Sequence, residues 1–122
     1  MILADTSVWI DHLRSGNKEL QKALSKGQII IHPWIVAELA LGSLRNRTNT
    51  LGMLDNVPHV QVAQNSEVRL MIETRNLYSV GIGLIDAHLI ASAFLSPPTL
   101  LWTKDRSLRQ VAENLGIHAR LP

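Results

Sequence analysis

The chain begins with a short strand that passes directly into a helix, in the stretch Ile2-Leu3-Ala4-Asp5-Thr6-Ser7-Val8-Trp9-Ile10. An apolar run before a carboxylate is typical of a buried strand, and either Thr6 or Ser7 can begin a helix, because hydroxyl side chains cap helix N-termini. Apolar residues then recur at helical spacing as far as Leu13. This stretch therefore predicts a strand and a helix joined at Asp5.

The same alternation of short β-type runs and longer helical patterns continues through the rest of the chain. Strands that alternate with helices imply right-handed crossover connections and a parallel sheet covered on both faces. The sequence therefore predicts an α/β sandwich that forms one domain over residues 1–122. Further strands are predicted at 28–31, 60–62 and 99–102, and further helices between residues 17 and 27 and at 33–44, 50–54, 66–78, 84–95 and 106–115.

Composition places this sequence among ordinary globular domains. With 46% hydrophobic and 18% charged residues, the chain is neither disordered nor fibrous. No apolar run reaches the roughly 18 residues of a membrane-spanning helix. Asp5 lies where a signal peptide would have its basic start, so we expect a cytoplasmic protein. The absence of cysteine excludes a disulfide framework, a thiolate zinc site and a cysteine protease.

Four acidic residues stand apart because they lie at element ends or among apolar neighbours: Asp5, Glu38, Asp86 and Asp105. Without them the surface carries six acidic residues against twelve lysines and arginines. A basic exterior around an acidic centre suggests a polyanionic partner, although the formal net charge is only +2. Asp11 differs from the four, because it lies in a polar stretch three residues before Arg14 and is predicted to form a solvated helix pair with it.

Each of the four also has a plainer structural explanation. Asp5 and Asp105 directly follow predicted strands, so both should emerge at one edge of the sheet, but either alone could be a helix N-cap. Glu38 is the only ionisable residue of an apolar helix, and Asp86 has apolar residues three and four positions further on. Both are predicted to face the core, where an unpaired charge is costly. Asp86 could alternatively be an anion stabilised by its helix N-terminus.

A cluster of these carboxylates would repel itself strongly, and folds normally tolerate one only when a hard divalent cation occupies it. Ligation by oxygen alone favours Mg²⁺ or Mn²⁺, and such ions can activate water and stabilise charge on a phosphate. Lys104 and Arg106 flank Asp105 and could contact phosphate, or they could be solvated cations. Zinc is disfavoured because the histidines lack paired spacing: they are His12, His32, His59, His88 and His118.

Other function classes fit parts of the sequence. A phosphoacceptor receiver domain also has an aspartate after its first strand and a lysine near its last, which Asp5 and Lys104 could be. Glu38 and Asp86 argue against it, because they fall in helical patterns and not at a central strand end. A non-catalytic RNA-binding module would not need an acidic pocket that repels phosphate. Gly81-Ile82-Gly83 lacks the third glycine and the lysine of a nucleotide-binding loop and is predicted to be a turn.

The acidic residues belong to short motifs that follow one another along the whole chain. These are Asp5-Thr6-Ser7 after the opening strand, Glu38 in an apolar helix, Gly83-Leu84-Ile85-Asp86-Ala87-His88-Leu89-Ile90-Ala91, and Thr103-Lys104-Asp105-Arg106-Ser107-Leu108. In order and chain length they resemble the acidic motifs of PIN-domain ribonucleases. The most similar members are the VapC toxins of bacterial toxin–antitoxin pairs.

The resemblance implies a three-layer α/β/α domain that hydrolyses RNA phosphodiester bonds. It implies that Thr103 orients the site through its hydroxyl and that Mg²⁺ or Mn²⁺ is held by four residues, Asp5, Glu38, Asp86 and Asp105. Thr6 matches a small hydroxyl residue beside the first aspartate, whereas Leu108 replaces an aromatic residue often found after the last motif. The resemblance also implies a homodimer and a cognate VapB-like antitoxin whose tail covers the acidic site. Transfer, ribosomal and messenger RNA are all compatible substrates.

Overall fold

Three short strands form a parallel sheet in a computed structural model that describes all 122 residues. Leu3 pairs with Ile30 on one side and with Leu101 on the other, so the first strand is the middle one. The carboxyl ends of all three strands lie at the same edge of the sheet. The strands are β1 (Ile2–Ala4), β2 (Ile29–Ile30) and β3 (Leu100–Trp102), in the order β2-β1-β3.

Helices cover both faces of this sheet. Successive strand residues point to opposite faces, and Leu3 and Ala4 are both completely buried, as are Leu101 and Trp102. The predicted three-layer α/β/α arrangement around a parallel sheet is therefore confirmed. None of the helices combines the length and the hydropathy needed to cross a bilayer. The helices are α1 (Thr6–Ser15), α2 (Lys18–Ser25), α3 (Pro33–Ala40), α4 (Arg47–Asn56), α5 (Asn65–Thr74), α6 (Leu84–Leu95) and α7 (Arg106–Asn114).

The strand predicted at residues 60–62 is wrong. This segment makes a single parallel bridge, between His59 and Ile31, with hydrogen bonds from Ile31 N–H to Pro58 O and from Val60 N–H to Ile31 O, both 2.9 Å. The ladder stops there because Pro33 begins α3 and has no N–H to donate. The residues after Val60 therefore have no strand to pair with.

The helix that carries Glu38 is shorter than predicted. It ends at Ala40 and not near residue 44, because the guanidinium of Arg47 donates to the carbonyl oxygens of Ala40 and Gly42, which a further helical turn would otherwise use. Leu41 is consequently 90% exposed. The next helix, α4, begins at Arg47 and is longer than the predicted 50–54.

Side-chain caps set where the helices after β1 and β2 begin. Asp5 accepts a hydrogen bond from the backbone N–H of Val8 at 3.2 Å at the start of α1. His32 Nδ1 accepts one from the backbone N–H of Trp34 at 3.0 Å at the start of α3. Because each cap lies just beyond a strand, both helices start at the carboxyl edge of the sheet.

Candidate active site

One cleft at the carboxyl edge of the sheet is lined by all four acidic residues that the sequence singled out. Its volume is about 530 Å³. Asp5 and Asp105 reach it from just beyond the ends of β1 and β3, because these strands are neighbours in the sheet. Glu38 reaches it from α3 and Asp86 from the first turn of α6. The fold thus brings together residues that are distant in sequence.

Asp5 is the most enclosed of these carboxylates, with 5% of its surface exposed. Its Oδ1 accepts hydrogen bonds from the hydroxyl of Ser7 and the N–H of Val8, and its Oδ2 accepts one from the hydroxyl of Thr103. Burial raises the pKa of Asp5 above its usual value, and these hydrogen bonds oppose that rise. Asp5 is therefore both the cap of α1 and a carboxylate of fixed orientation in the cleft.

Thr103 joins the two carboxylates that follow the strands. Its side chain is fully buried, its hydroxyl donates to Asp5 Oδ2, and the same oxygen accepts the backbone N–H of Asp105 at 3.0 Å. Asp105 is exposed at the cleft rim and caps α7 by accepting the N–H of Leu108 at 2.8 Å. One hydroxyl group therefore sets the position of Asp5 relative to Asp105.

Glu38 and Asp86 are half-buried in the wall of the cleft, so the prediction that they face the core is wrong. Ile35 and Leu39 on α3, and Leu89 and Ile90 on α6, are buried in the core, whereas the two carboxylates lie at the cleft. Each carboxylate is then held by a local donor. The hydroxyl of Thr6 donates to Glu38 Oε1 at 2.5 Å, and the backbone N–H of Gly83 donates to Asp86 Oδ2 at 3.2 Å. Asp86 thus also caps the N-terminus of its own helix.

The electrostatic environment of Asp86 shows that the four carboxylates act on one another. Burial is the largest cause that raises the pKa of Asp86, and the N–H of Gly83 opposes it. Repulsion from the other three acidic side chains raises this pKa further. The ionised form of Asp86 is therefore disfavoured by the rest of the cleft.

No positively charged side chain neutralises this cluster. The structure contains two ion pairs, and neither includes a carboxylate of the cleft. Lys104, a candidate phosphate contact, lies 3.8 Å from Asp11 Oδ2. The predicted pairing of Asp11 with Arg14 is wrong, because Asp11 is turned toward Lys104 and the side-chain amide of Asn17. The negative charge of the cleft is therefore left uncompensated.

The oxygen donors of the cleft fit a hard divalent cation that keeps part of its water shell. Carboxylates are the ligands that Mg²⁺ and Mn²⁺ prefer. No three Asp, Glu or His side chains converge closely enough to ligate one ion directly, since oxygens of Asp5 and Glu38 are turned toward neighbouring hydroxyls. Mg²⁺ in proteins usually binds one or two carboxylates directly and retains several waters. This donor set is suited to that mode of binding.

Two buried histidines add no positive charge near the cleft. The ring centroids of His32 and His88 are 6.4 Å apart. Burial, with repulsion from His88 and His59, lowers the pKa of His32 to about 4. Burial also lowers the pKa of His88. Both imidazoles are therefore neutral at pH 7.

Ser7 is a cleft residue whose contacts the sequence did not reveal. Its hydroxyl donates to Asp5 Oδ1, accepts the backbone N–H of Lys104 at 2.9 Å and lies 3.5 Å from the hydroxyl of Thr103. The available signal is a second hydroxyl residue after Asp5, which belongs to the Asp5-Thr6-Ser7 motif and can also begin a helix. Its contacts with residues 103 and 104 arise from the pairing of β1 with β3, which no local pattern reveals.

A parallel sheet with unpaired carboxylates gathered at its carboxyl edge fits one class of protein, the nucleases that act through acidic residues. The PIN domain matches residues 2–114. The chain is also 38% identical over 117 residues to "Ribonuclease VapC32" from two strains of Mycobacterium tuberculosis, a match that covers 96% of this chain and 94% of that protein. The chain belongs to the PIN-domain family and is a VapC-type ribonuclease within it. This membership excludes the receiver-domain alternative.

Replacing Asp86 with asparagine should relieve repulsion without removing the helix cap. In chelator at pH 7 we expect Asp86→Asn to have a free energy of unfolding equal to or above that of the wild type, because the asparagine Oδ1 can still accept the N–H of Gly83. Added Mg²⁺ should stabilise the wild type more than the variant, because a ligand stabilises the state that binds it. Urea unfolding with chelator and with Mg²⁺ measures both quantities.

Asp55→Asn is the matched control, because Asp55 is exposed on α4 and lies outside the cleft. We expect its stability to stay within about 0.5 kcal/mol of the wild type in both conditions. If Asp86→Asn instead loses more than about 1 kcal/mol in chelator and responds to Mg²⁺ as the wild type does, Asp86 is a structural cap.

Removing the hydroxyl of Thr103 should destabilise the protein. Thr103→Val keeps the shape of the side chain but leaves Asp5 Oδ2 and the N–H of Asp105 without this partner, so we expect a loss of about 1–3 kcal/mol in urea unfolding. Thr103→Ser keeps the hydroxyl and should recover most of that loss. Thr48→Val, at an exposed position of α4, should change stability by less than about 0.5 kcal/mol. Wild-type stability in Thr103→Val would contradict the bridging role.

Proposed function

We propose that this protein is a metal-dependent endoribonuclease, that it is the toxin of a toxin–antitoxin pair, and that its active-site residues are Asp5, Glu38, Asp86, Asp105 and Thr103. The observation that carries this proposal is a cleft whose carboxylates repel one another and have no cationic partner. A structural cluster would be expected to contain ion pairs, because uncompensated charge destabilises a fold. Membership of the VapC-type ribonucleases supports RNA as the substrate.

The metal ligands in this proposal are the carboxylates of Asp5, Glu38, Asp86 and Asp105. One or two of them would bind Mg²⁺ or Mn²⁺ directly, and the others would act through water. When bound, the ion offsets the negative charge of the phosphate and makes a water molecule a stronger nucleophile. The absence of nitrogen and sulfur ligands from the cleft lining favours these ions over zinc.

In this proposal Asp86 accepts a proton from the attacking water. In hydrolysis the water oxygen bonds to phosphorus, the bond from phosphorus to one ribose oxygen breaks, the leaving ribose oxygen takes up a proton from the solvent, and the water gives up a proton. Asp86 Oδ2 is engaged by the N–H of Gly83, whereas Oδ1 has no partner and can accept that proton. The free Oδ1 lies on a half-buried carboxylate that lines the cleft, so this proton acceptor faces the site where the phosphate would bind.

Three hydroxyl residues act as positioning residues in this proposal. Thr103 and Ser7 hold the two oxygens of Asp5, and Thr6 holds one oxygen of Glu38. Uncharged donors fix the direction of a carboxylate without neutralising it. The cleft therefore keeps both its geometry and its affinity for a cation.

The partners in this proposal are an RNA substrate, a VapB-like antitoxin and a second copy of the chain. Leu84 is 58% exposed and lines the cleft, so a peptide that covers the carboxylates would also find an apolar contact. Elsewhere Leu70 is 66% exposed and Leu41 is 90% exposed, and burial of such residues between two chains would favour a homodimer.

Purified protein should cleave RNA when Mg²⁺ or Mn²⁺ is present and stop in excess chelator. Asp86→Asn should lower kcat by at least about 100-fold and should relieve the growth arrest that we expect on expression, because it removes a ligand and a proton acceptor. Cleavage of a labelled single-stranded RNA, followed on a gel, measures this, with Asp55→Asn as the control that should keep wild-type activity. Undiminished cleavage in chelator would refute the metal mechanism. RNA binding without cleavage would instead indicate a non-catalytic binding module.

Light scattering should give the protein twice the mass of one chain at micromolar concentration. The expectation follows from the exposed leucines, whose transfer from water stabilises an interface. A single-chain mass under these conditions would contradict the homodimer and would leave the nuclease proposal intact.

A further inference from the structure

A second groove meets the acidic cleft at Glu38, which lines both. This groove, called the α1–α3 groove below, has a volume of about 580 Å³. Its apolar wall includes Ile10 and Leu13 from α1 and Leu39 from α3, and its far side is the loop 43–46 that leads into α4. The two concave surfaces are therefore adjacent.

Two arginines line this groove without an ionic partner. Arg14 lies on α1 and Arg45 in the loop before α4, and both are exposed. Neither guanidinium is in either of the two ion pairs of the structure. Asp11 would be the natural partner of Arg14 on the same helix, but it is paired with Lys104. Both guanidinium groups are thus available to an anion.

The loop that carries Arg45 is held in place by the helix that follows it. The guanidinium of Arg47 donates to the carbonyl oxygens of Ala40 and Gly42, and the hydroxyl of Thr50 donates to the carbonyl oxygen of Arg45 at 2.8 Å. These contacts order the loop backbone before any ligand binds. An ordered loop loses less conformational entropy when a ligand binds. The free-energy cost of binding an anion through Arg45 is therefore lower.

We propose that the α1–α3 groove binds the RNA strand next to the bond that is cleaved, with Arg14 and Arg45 contacting its phosphates. This inference rests on the proposed function, which places RNA at the acidic cleft. A strand with one phosphate at the cleft runs past Glu38 into the groove and meets both arginines. Guanidinium groups bind phosphate with two parallel hydrogen bonds, which suits them to this task.

The positive charge is needed because the cleft by itself repels RNA. Phosphate contacts from lysine and arginine supply most of the affinity in sequence-independent binding of nucleic acid. The carboxylates cannot supply that affinity, and Lys104 is already paired. RNA is favoured over a protein segment as the occupant, because the strand already lies at Glu38 during cleavage and enters the groove without a separate docking step.

The test measures RNA affinity by fluorescence anisotropy of a labelled single-stranded oligonucleotide, in the Asp86→Asn background so that the RNA stays intact. Replacing Arg14 and Arg45 together with alanine should raise Kd at least about tenfold. The slope of log K against log salt concentration should also become shallower by about 0.7 for each phosphate that the protein no longer binds. In the otherwise wild-type chain, the double replacement should raise KM for RNA with kcat unchanged, as expected when ground-state binding is weakened.

Arg69→Ala is the matched control, because Arg69 is exposed on α5 and lines neither the groove nor the cleft. It removes the same charge elsewhere and should change Kd less than twofold. Replacing Arg14 and Arg45 with lysine keeps the charge, so the salt slope should return to that of the parent protein. Matching thermal melts of each variant and its parent exclude misfolding as the cause.

Equal effects of the double alanine variant and Arg69→Ala on Kd and on the salt slope would overturn the proposal. It would also be overturned if RNA binding is unchanged while a co-expressed antitoxin no longer protects cells from the double variant, since the groove would then bind protein. If the wild type never cleaves RNA but the double variant still loses RNA affinity, the proposed function fails, and only the binding of RNA in the groove is supported.

Discussion

Parallel pairing between β1 and β3 places Asp5 beside Thr103, and the rest of the site depends on that contact. The backbone N–H of Asp5 donates to the carbonyl oxygen of Trp102 at 2.9 Å, so the pairing continues just past the end of β1. Thr103 then lies where its hydroxyl reaches Asp5 Oδ2 and accepts the N–H of Asp105. A shift of one residue in this register would turn Thr103 to the opposite face of the sheet and separate the carboxylates.

The hydrogen-bond donors around the cleft are hydroxyl and backbone N–H groups, not cations. An arginine or lysine beside Asp5 would satisfy the buried carboxylate and stabilise its ionised form, but it would also cancel the negative charge. The hydroxyls of Ser7, Thr103 and Thr6 instead orient the oxygens of Asp5 and Glu38 while the charge remains. Repulsion among the carboxylates is the consequence, and after burial, the largest cause, it raises the pKa of Asp86 further.

Much of the fold could be predicted from local patterns, because α6 and the strand–aspartate–helix units at Asp5 and Asp105 are set by residues adjacent in sequence. The predictions failed where contacts between residues distant in sequence determine the structure. Residues 60–62 have a strand-like sequence, but β2 is too short to pair with them. The apolar neighbours of Glu38 and Asp86 suggested burial in the core, but only some of them are buried there, and both carboxylates line the cleft. The spacing of Asp11 and Arg14 along one helix likewise could not show that Asp11 would form its ion pair with Lys104 instead.

A net charge of only +2 conceals a strong separation of charge within the molecule. Negative groups gather around one cleft and are unpaired, while Arg14 and Arg45, also unpaired, line the groove beside it, with Glu38 at the boundary. The arginines attract a polyanion whether or not a cation is present, but the carboxylates reject a phosphate until their charge is offset. If the proposed function and the proposed role of the groove both hold, RNA binds the metal-free protein along the groove, but its scissile phosphate enters the cleft only when the ion is bound. Binding and cleavage are then controlled by separate groups of residues that share a single side chain, Glu38.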